Sequence, residues 1–200
     1  MGWLLASVPF AARVTGDPRL WYVTRAAGVA AYVLLALAVD LGIFRSLARQ
    51  LGEPVSWALD EFHQFLTLLA AGFVLLHLVA LAFDPFIHFT PRNLLLPLDQ
   101  PYRQLAVDLG VLALYALAVV LLSSWLRHRL SYGIWHGLHY LGFAAFALVT
   151  AHGVLAGADG GAGWMRAIYI AAAASAAFLI GMRVLVARRL SPGGVQAPQR

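Results

Sequence analysis

The chain has 200 residues, 62% of them hydrophobic and only 12% charged, with a net charge of +5 and a mean hydropathy of +0.78. Soluble domains carry about 25% charged residues, so this composition excludes an ordinary water-soluble domain and predicts a protein whose solvent is lipid. All fourteen basic residues are arginines, scattered over loops and ends rather than gathered in a stripe. A nucleic-acid partner is therefore without support, and the absence of cysteine excludes disulfides, thiolate catalysis, iron–sulfur ligation and c-type attachment through Cys-x-x-Cys-His.

In chain order, residues 1–20 form an apolar segment too short to span a bilayer and without the positive start of a signal peptide, which reads as interfacial. Five stretches then reach the ~20 apolar residues a crossing requires: 21–44 (WYVTRAAGVAAYVLLALAVDLGIF), 61–83 (EFHQFLTLLAAGFVLLHLVALAF), 105–125, 134–155 and 164–186. The second and third are separated by DPFIHFTPRNLLLPLDQPYRQ, whose four prolines forbid one continuous helix. Its LLLPL core predicts a loop folded onto the membrane interface as a lid. Residues 189–200 read as a disordered tail. The expected architecture is thus an all-α integral membrane bundle of five transmembrane helices over residues 21–188.

Alternating sides place arginines 13, 19, 25, 92, 103 and 166 on one face and arginines 45, 49, 127, 129, 183, 188, 189 and 200 on the other. The excess on the second side predicts a cytoplasmic C-terminus in the cell inner (plasma) membrane. Asp40, near the inner end of the first span, is expected to pair with Arg45 or to reach the interface. Asp108, near the outer end of the third, is expected to contact Arg103, a proton path or the interface.

The seven histidines carry the strongest signal. His88 and His128 fall in connections, whereas His63, His77, His136, His139 and His152 all lie on the second and fourth spans. His63 and His77 are 14 residues apart, roughly 21 Å along a helix and close to four turns, so they share a face at two depths. His139 and His152, 13 apart, are separated by roughly 19.5 Å, so one histidine from each span can meet at each of two levels. Such facing imidazoles suit b-type heme bound above and below its iron between helices of a bundle. A 13-residue step at about 100° per residue leaves His139 and His152 off a common face of a straight helix, and His136 fares no better. Spacing leaves His136 and His139 open, and with them the alternatives of two heme azimuths or a distorted fourth helix. Gly72 and Gly142, with Ala70, Ala71, Ala144 and Ala145, would give room to a porphyrin or simply pack helices; Phe73 and Phe146 would lie between the two levels. Arg127 and Arg129 inside, and Arg92 and Arg103 outside, are candidate partners of heme propionates.

Several stretches together, "RAAGVAAYVLLALAVDLG", "HQFLTLLAAGFVLLH", "LLLPLDQPYRQLAVDLGVLALY", "SSWLRHRLSYGIWHGLHYLGFAAF" and "HGVLAGAD", make the chain resemble the ferric reductase-like transmembrane domain. That is the heme-bearing membrane module of ferric reductases, NADPH oxidases and the heme subunit of the bacterial methionine sulfoxide reductase system. The resemblance runs from about Trp21 to Arg183. It implies that His139, not His136, is the ligand, and that two heme b groups are held by His63 with His139 inside and His77 with His152 outside. It also implies single-electron transfer across the bilayer to an acceptor at the outer face, with ferric iron, oxygen and an acceptor protein as the alternatives. No G-x-G-x-x-G occurs and only residues 189–200 follow the last span. The expectation is a stand-alone bacterial member, the membrane subunit of a reductase system, fed by a separate cytoplasmic flavoprotein reductase or a quinol rather than by its own flavin or NADPH domain. The spans hold no Ser/His/Asp set, so no protein nucleophile is expected. Two other readings use the same histidines: a metal or proton transporter, and a quinol-oxidising cytochrome b of another family.

Overall fold

The computed structural model describes residues 19–85 and 87–190; the expected interfacial segment and tail lie almost wholly outside them. Among the described residues there are helices and no strands, and five helical stretches are long and apolar enough to cross a membrane. They are α1 (Arg19–Gln50), α2 (Trp57–Ala82), α4 (Gln104–Trp125), the broken pair α5 (Tyr132–His139) and α6 (Leu141–Ala156), and α7 (Gly163–Leu190); a short helix, α3 (Pro91–Leu95), lies between the second and third crossings. The chain is a multi-pass membrane protein.

Local chemistry sets the turns. α1 stops where Gly52 takes a φ of 77°: its N–H donates to the Arg49 carbonyl at 3.2 Å, and the Glu53 N–H donates to the Ala48 carbonyl at 3.0 Å. This is a Schellman closure, in which glycine carries the left-handed residue. Pro54 and the extended Ser56 then launch α2 back across. In the proline-rich connection, Thr90 and Asn93 form a capping box around Pro91, so the LLLPL segment opens as one helical turn. Its Leu94, together with Phe89, is buried on Val107 of α4, with Leu78 and Leu81 of α2 alongside. The lid expectation corresponds to this cap over one end of the bundle, anchored because Asp108 accepts from the Leu98 N–H (2.9 Å) and from Gln100 Nε2 (3.1 Å).

Two antiparallel hairpins result, α1 with α2 and α4 with α5–α6, and α7 packs beside α1. In lipid the packing itself, not water exclusion, must hold helices together, and the contacts are accordingly close: Ala27, Ala31, Ala38 and Ala70 are buried along the first hairpin. Tyr32 is the central side chain, stacked on Phe146 of α6 (centroids 6.1 Å) and edge-on to Tyr169 of α7 (5.0 Å). At one end of the bundle, Arg25 of α1 forms a two-pronged ion pair with Asp159 in the α6–α7 connection, Nε to Oδ2 at 3.0 Å. Exposed aromatics ring both ends, Tyr22 and Trp164 at the Arg25 end and Trp57, Trp125 and Tyr132 at the Arg45 end, as interfacial belts do.

Replacing Tyr32 by alanine removes both ring contacts and leaves a cavity between three crossings. The expected loss is about 3 kcal/mol, read as a lowered thermal midpoint of the detergent-purified protein by circular dichroism. An unchanged midpoint would show that this cluster does not hold α7 to the bundle.

Candidate functional site

The histidines of α2 are fixed by α1. His77 Nδ1 lies 2.8 Å from the Thr24 carbonyl and His63 Nδ1 lies 2.9 Å from the Ala38 carbonyl. Because a carbonyl only accepts, Nδ1 must carry the proton and donate, which leaves Nε2 as a free lone pair. Each ring can approach that closely because the residue one turn further along α1 is glycine. A Cβ on Gly28 would stand 3.1 Å from His77 Nδ1, and one on Gly42 would stand 3.2 Å from His63 Cε1. The second hairpin repeats the device: His152 Nδ1 donates to the Ala106 carbonyl at 2.7 Å, and a Cβ on Gly110 would come within 2.7 Å of the same nitrogen. His139 departs from it. Its ring stacks on Trp135 at 5.2 Å, and its Nδ1 is buried without a hydrogen-bond partner.

These four rings meet two by two. His63 and His139 have centroids 6.2 Å apart at an interplanar angle of 64°, and His77 and His152 have centroids 6.5 Å apart at 84°. Two imidazoles on opposite sides of one metal ion, each nitrogen about 2 Å from it, have centroids roughly 6 Å apart. The backbones of α2 and α5–α6 otherwise hardly approach each other. A largely apolar cavity enters this gap from the Arg25 end, reaching His77, His152, Gly28 and Gly110. Among the described residues no group of three or more His, Cys, Asp or Glu side chains is gathered for a metal ion. Each pair thus sets two imidazole rings facing one another across the gap between the helices, with room between them for a bound group.

The ambiguity on the fourth span has a structural counterpart. The helix breaks at Tyr140, where the Phe143 N–H donates to the Tyr140 carbonyl at 3.0 Å, a 3₁₀-type bond between α5 and α6. His139 and His152 thus sit on separate segments, and the straight-helix angle does not apply to them. His136 points into its own aromatic stack, with Tyr132 at 5.1 Å and Tyr140 at 4.7 Å. His88 and His128 lie in connections.

Several expectations are corrected. Asp40 does not pair with Arg45: it accepts from Ser175 Oγ of α7 at 2.6 Å, while Arg45 pairs with Asp60. Asp108 does not meet Arg103; it pins the proline-rich loop, and Arg103 donates to the Leu155 carbonyl at 2.6 Å. A Cβ on Gly72 or Gly142 would meet nothing within 4 Å, so of the two roles expected of these glycines, tight helix packing is not the one they have, and the space beside them is open. The glycines that seat histidine rings are others, Gly28, Gly42 and Gly110, marked in the sequence only in that Gly28 and Gly42 are 14 residues apart, the same interval as His63 and His77.

The sequence model described as the ferric reductase like transmembrane component matches residues 27–151. No curated protein and no solved structure matches the chain.

The glycine contacts set an order of damage. Gly110→Ala is expected to lower the thermal midpoint most, with Gly28→Ala and Gly42→Ala lowering it less. Gly181→Ala, on α7 with nothing within 4 Å, should leave it unchanged or raise it slightly, by up to about 1 kcal/mol. Equal effects at all four positions would refute the ring-seating role.

Proposed function

The chain belongs to the ferric reductase-like transmembrane family, whose members are membrane electron-transfer modules, and on that footing we propose that it is a di-heme b-type cytochrome. In this reading His63 and His139 are the axial ligands of the inner heme, and His77 and His152 those of the outer one. Single electrons pass from a separate cytoplasmic flavoprotein reductase or a quinol to an acceptor at the outer face. The observation that carries the reading is the two-by-two meeting of histidine rings at metal-bridging separation, across a gap between helices that little else crosses.

Heme bound at these levels supplies reversible one-electron chemistry. The chain's own part is to hold, space and dry the two sites. The carbonyls of Thr24, Ala38 and Ala106 fix three of the rings and make them more basic ligands. The 14 residues from His63 to His77 set the levels roughly 21 Å apart along α2. The apolar lining around His77 and His152 keeps water from that pair. Eight arginines on the side of the C-terminus against six on the other support an inner-membrane protein with that terminus in the cytoplasm.

The test is a dithionite-reduced minus oxidised absorption spectrum of the purified protein with its heme-to-protein ratio. Two b-type hemes are expected in the wild type and one in each of His63→Ala and His77→Ala. A wild type without heme after heme-supplemented expression would overturn the proposal.

A further inference from the structure

At the Arg45 end of the bundle three N–H donors from three different helices are buried with no acceptor: Arg45 Nε on α1, Trp135 Nε1 on α5 and Arg183 Nε on α7. They lie at one level. α1 and α7 run side by side with Tyr32 against Tyr169 and Asp40 against Ser175, which brings Arg45 and Arg183, 13 and 14 residues beyond the two tyrosines, to the same depth. All three border the His63–His139 pair. The Trp135 ring stacks on His139, Arg45 is within electrostatic reach of both histidines, and Arg183 donates to the hydroxyl of Tyr140, next to His139, at 3.3 Å.

A buried donor without an acceptor is destabilising, and a charged one more so, so three in one place call for an acceptor. Asp60, which is largely exposed, already holds the Nη2 of Arg45, and none of the three donors is bonded to the two buried acceptors of α1 that also lack a partner, Asp40 Oδ1 and Gln50 Oε1. Arg127 adds further positive charge over the Trp135 ring, 5.6 Å from its centroid. The opposite end differs, since Arg25 is paired with Asp159 and Arg103 has the Leu155 carbonyl. The geometry points to a carboxylate receptor built from Arg45, Trp135 and Arg183, which takes a propionate of the inner heme. The assignment rests on the heme reading above, and it moves the propionate anchor away from the loop arginines, Arg127 and Arg129, toward Arg45 inside the bundle. These three are positioning residues: they orient the group and set the charge beside it.

The experiment is redox potentiometry and resonance Raman spectroscopy of the full-length purified protein, with His63→Ala identifying which centre is the inner one. Arg45→Gln is expected to retain two hemes and to lower the inner midpoint alone, by about tenfold in the one-electron equilibrium, or about 59 mV. The freed carboxylate should make that midpoint newly pH-dependent. Arg45→Lys should restore most of the shift. Trp135→Phe, which changes no charge and so leaves Asp60 undisturbed, should shift the inner heme's propionate bending band and lower its midpoint by a smaller amount. Two retained hemes with unmoved inner midpoint and propionate band in both Arg45→Gln and Trp135→Phe overturn the assignment, as does an equal shift of both centres. If Arg45→Gln cannot be purified, Trp135→Phe decides by the same criterion. A heme-free wild type is a separate outcome, visible before any substitution, that removes the heme reading itself.

Discussion

A hydrogen bond from a histidine Nδ1 to a backbone carbonyl of the neighbouring helix is the constraint on which this bundle turns. In lipid every helix carbonyl is already engaged within its own helix, yet it keeps a second lone pair, and a histidine that uses it satisfies its own donor without water. The cost is proximity: the ring must lie against the helix backbone, which only a glycine one turn away permits. Thr24 with Gly28, Ala38 with Gly42 and Ala106 with Gly110 all obey this rule. Helix spacing, ring orientation and the free nitrogen at each site follow from the same bond. His139 lies outside it, and it is also the histidine beside the break at Tyr140.

The rest of the molecule divides between holding the hairpins and closing their ends. Tyr32 touches α6 and α7 at once, Asp40 reaches Ser175 of α7, and Arg25 ties the α6–α7 connection to α1. Polar groups sequence-adjacent to hydrocarbon therefore serve as inter-helix fasteners. The proline-rich connection serves the Arg25 end in a different way, burying Phe89 and Leu94 while Asp108 satisfies the Leu98 amide.

What was legible in the sequence was whatever hydropathy and one-dimensional spacing encode. The five crossings stand out because lipid demands about 20 apolar residues in a row, and the two histidine levels stand out because rise per residue is fixed in a helix. The seating glycines were hidden because Gly28 acts on a residue 49 positions away and looks like any small residue of a packed span. Only the shared 14-residue interval on two neighbouring crossings betrayed it. The break at Tyr140 has no proline or glycine at the residue itself and so leaves no mark in composition. Asp40 and Arg45 were mispaired because five residues is a little more than one turn, close in sequence but rotated apart, and their real partners lie on other helices.

Each histidine pair takes one member from α2 and one from α5–α6. Those belong to separate hairpins; the first seats both of its histidines on its own first helix, and the second seats His152 in the same way. The first hairpin alone can therefore orient two histidine rings and still hold neither pair. Both ring pairs come into being only when the fourth crossing lies opposite the second, so the two levels share one structural precondition, the docking of hairpin on hairpin.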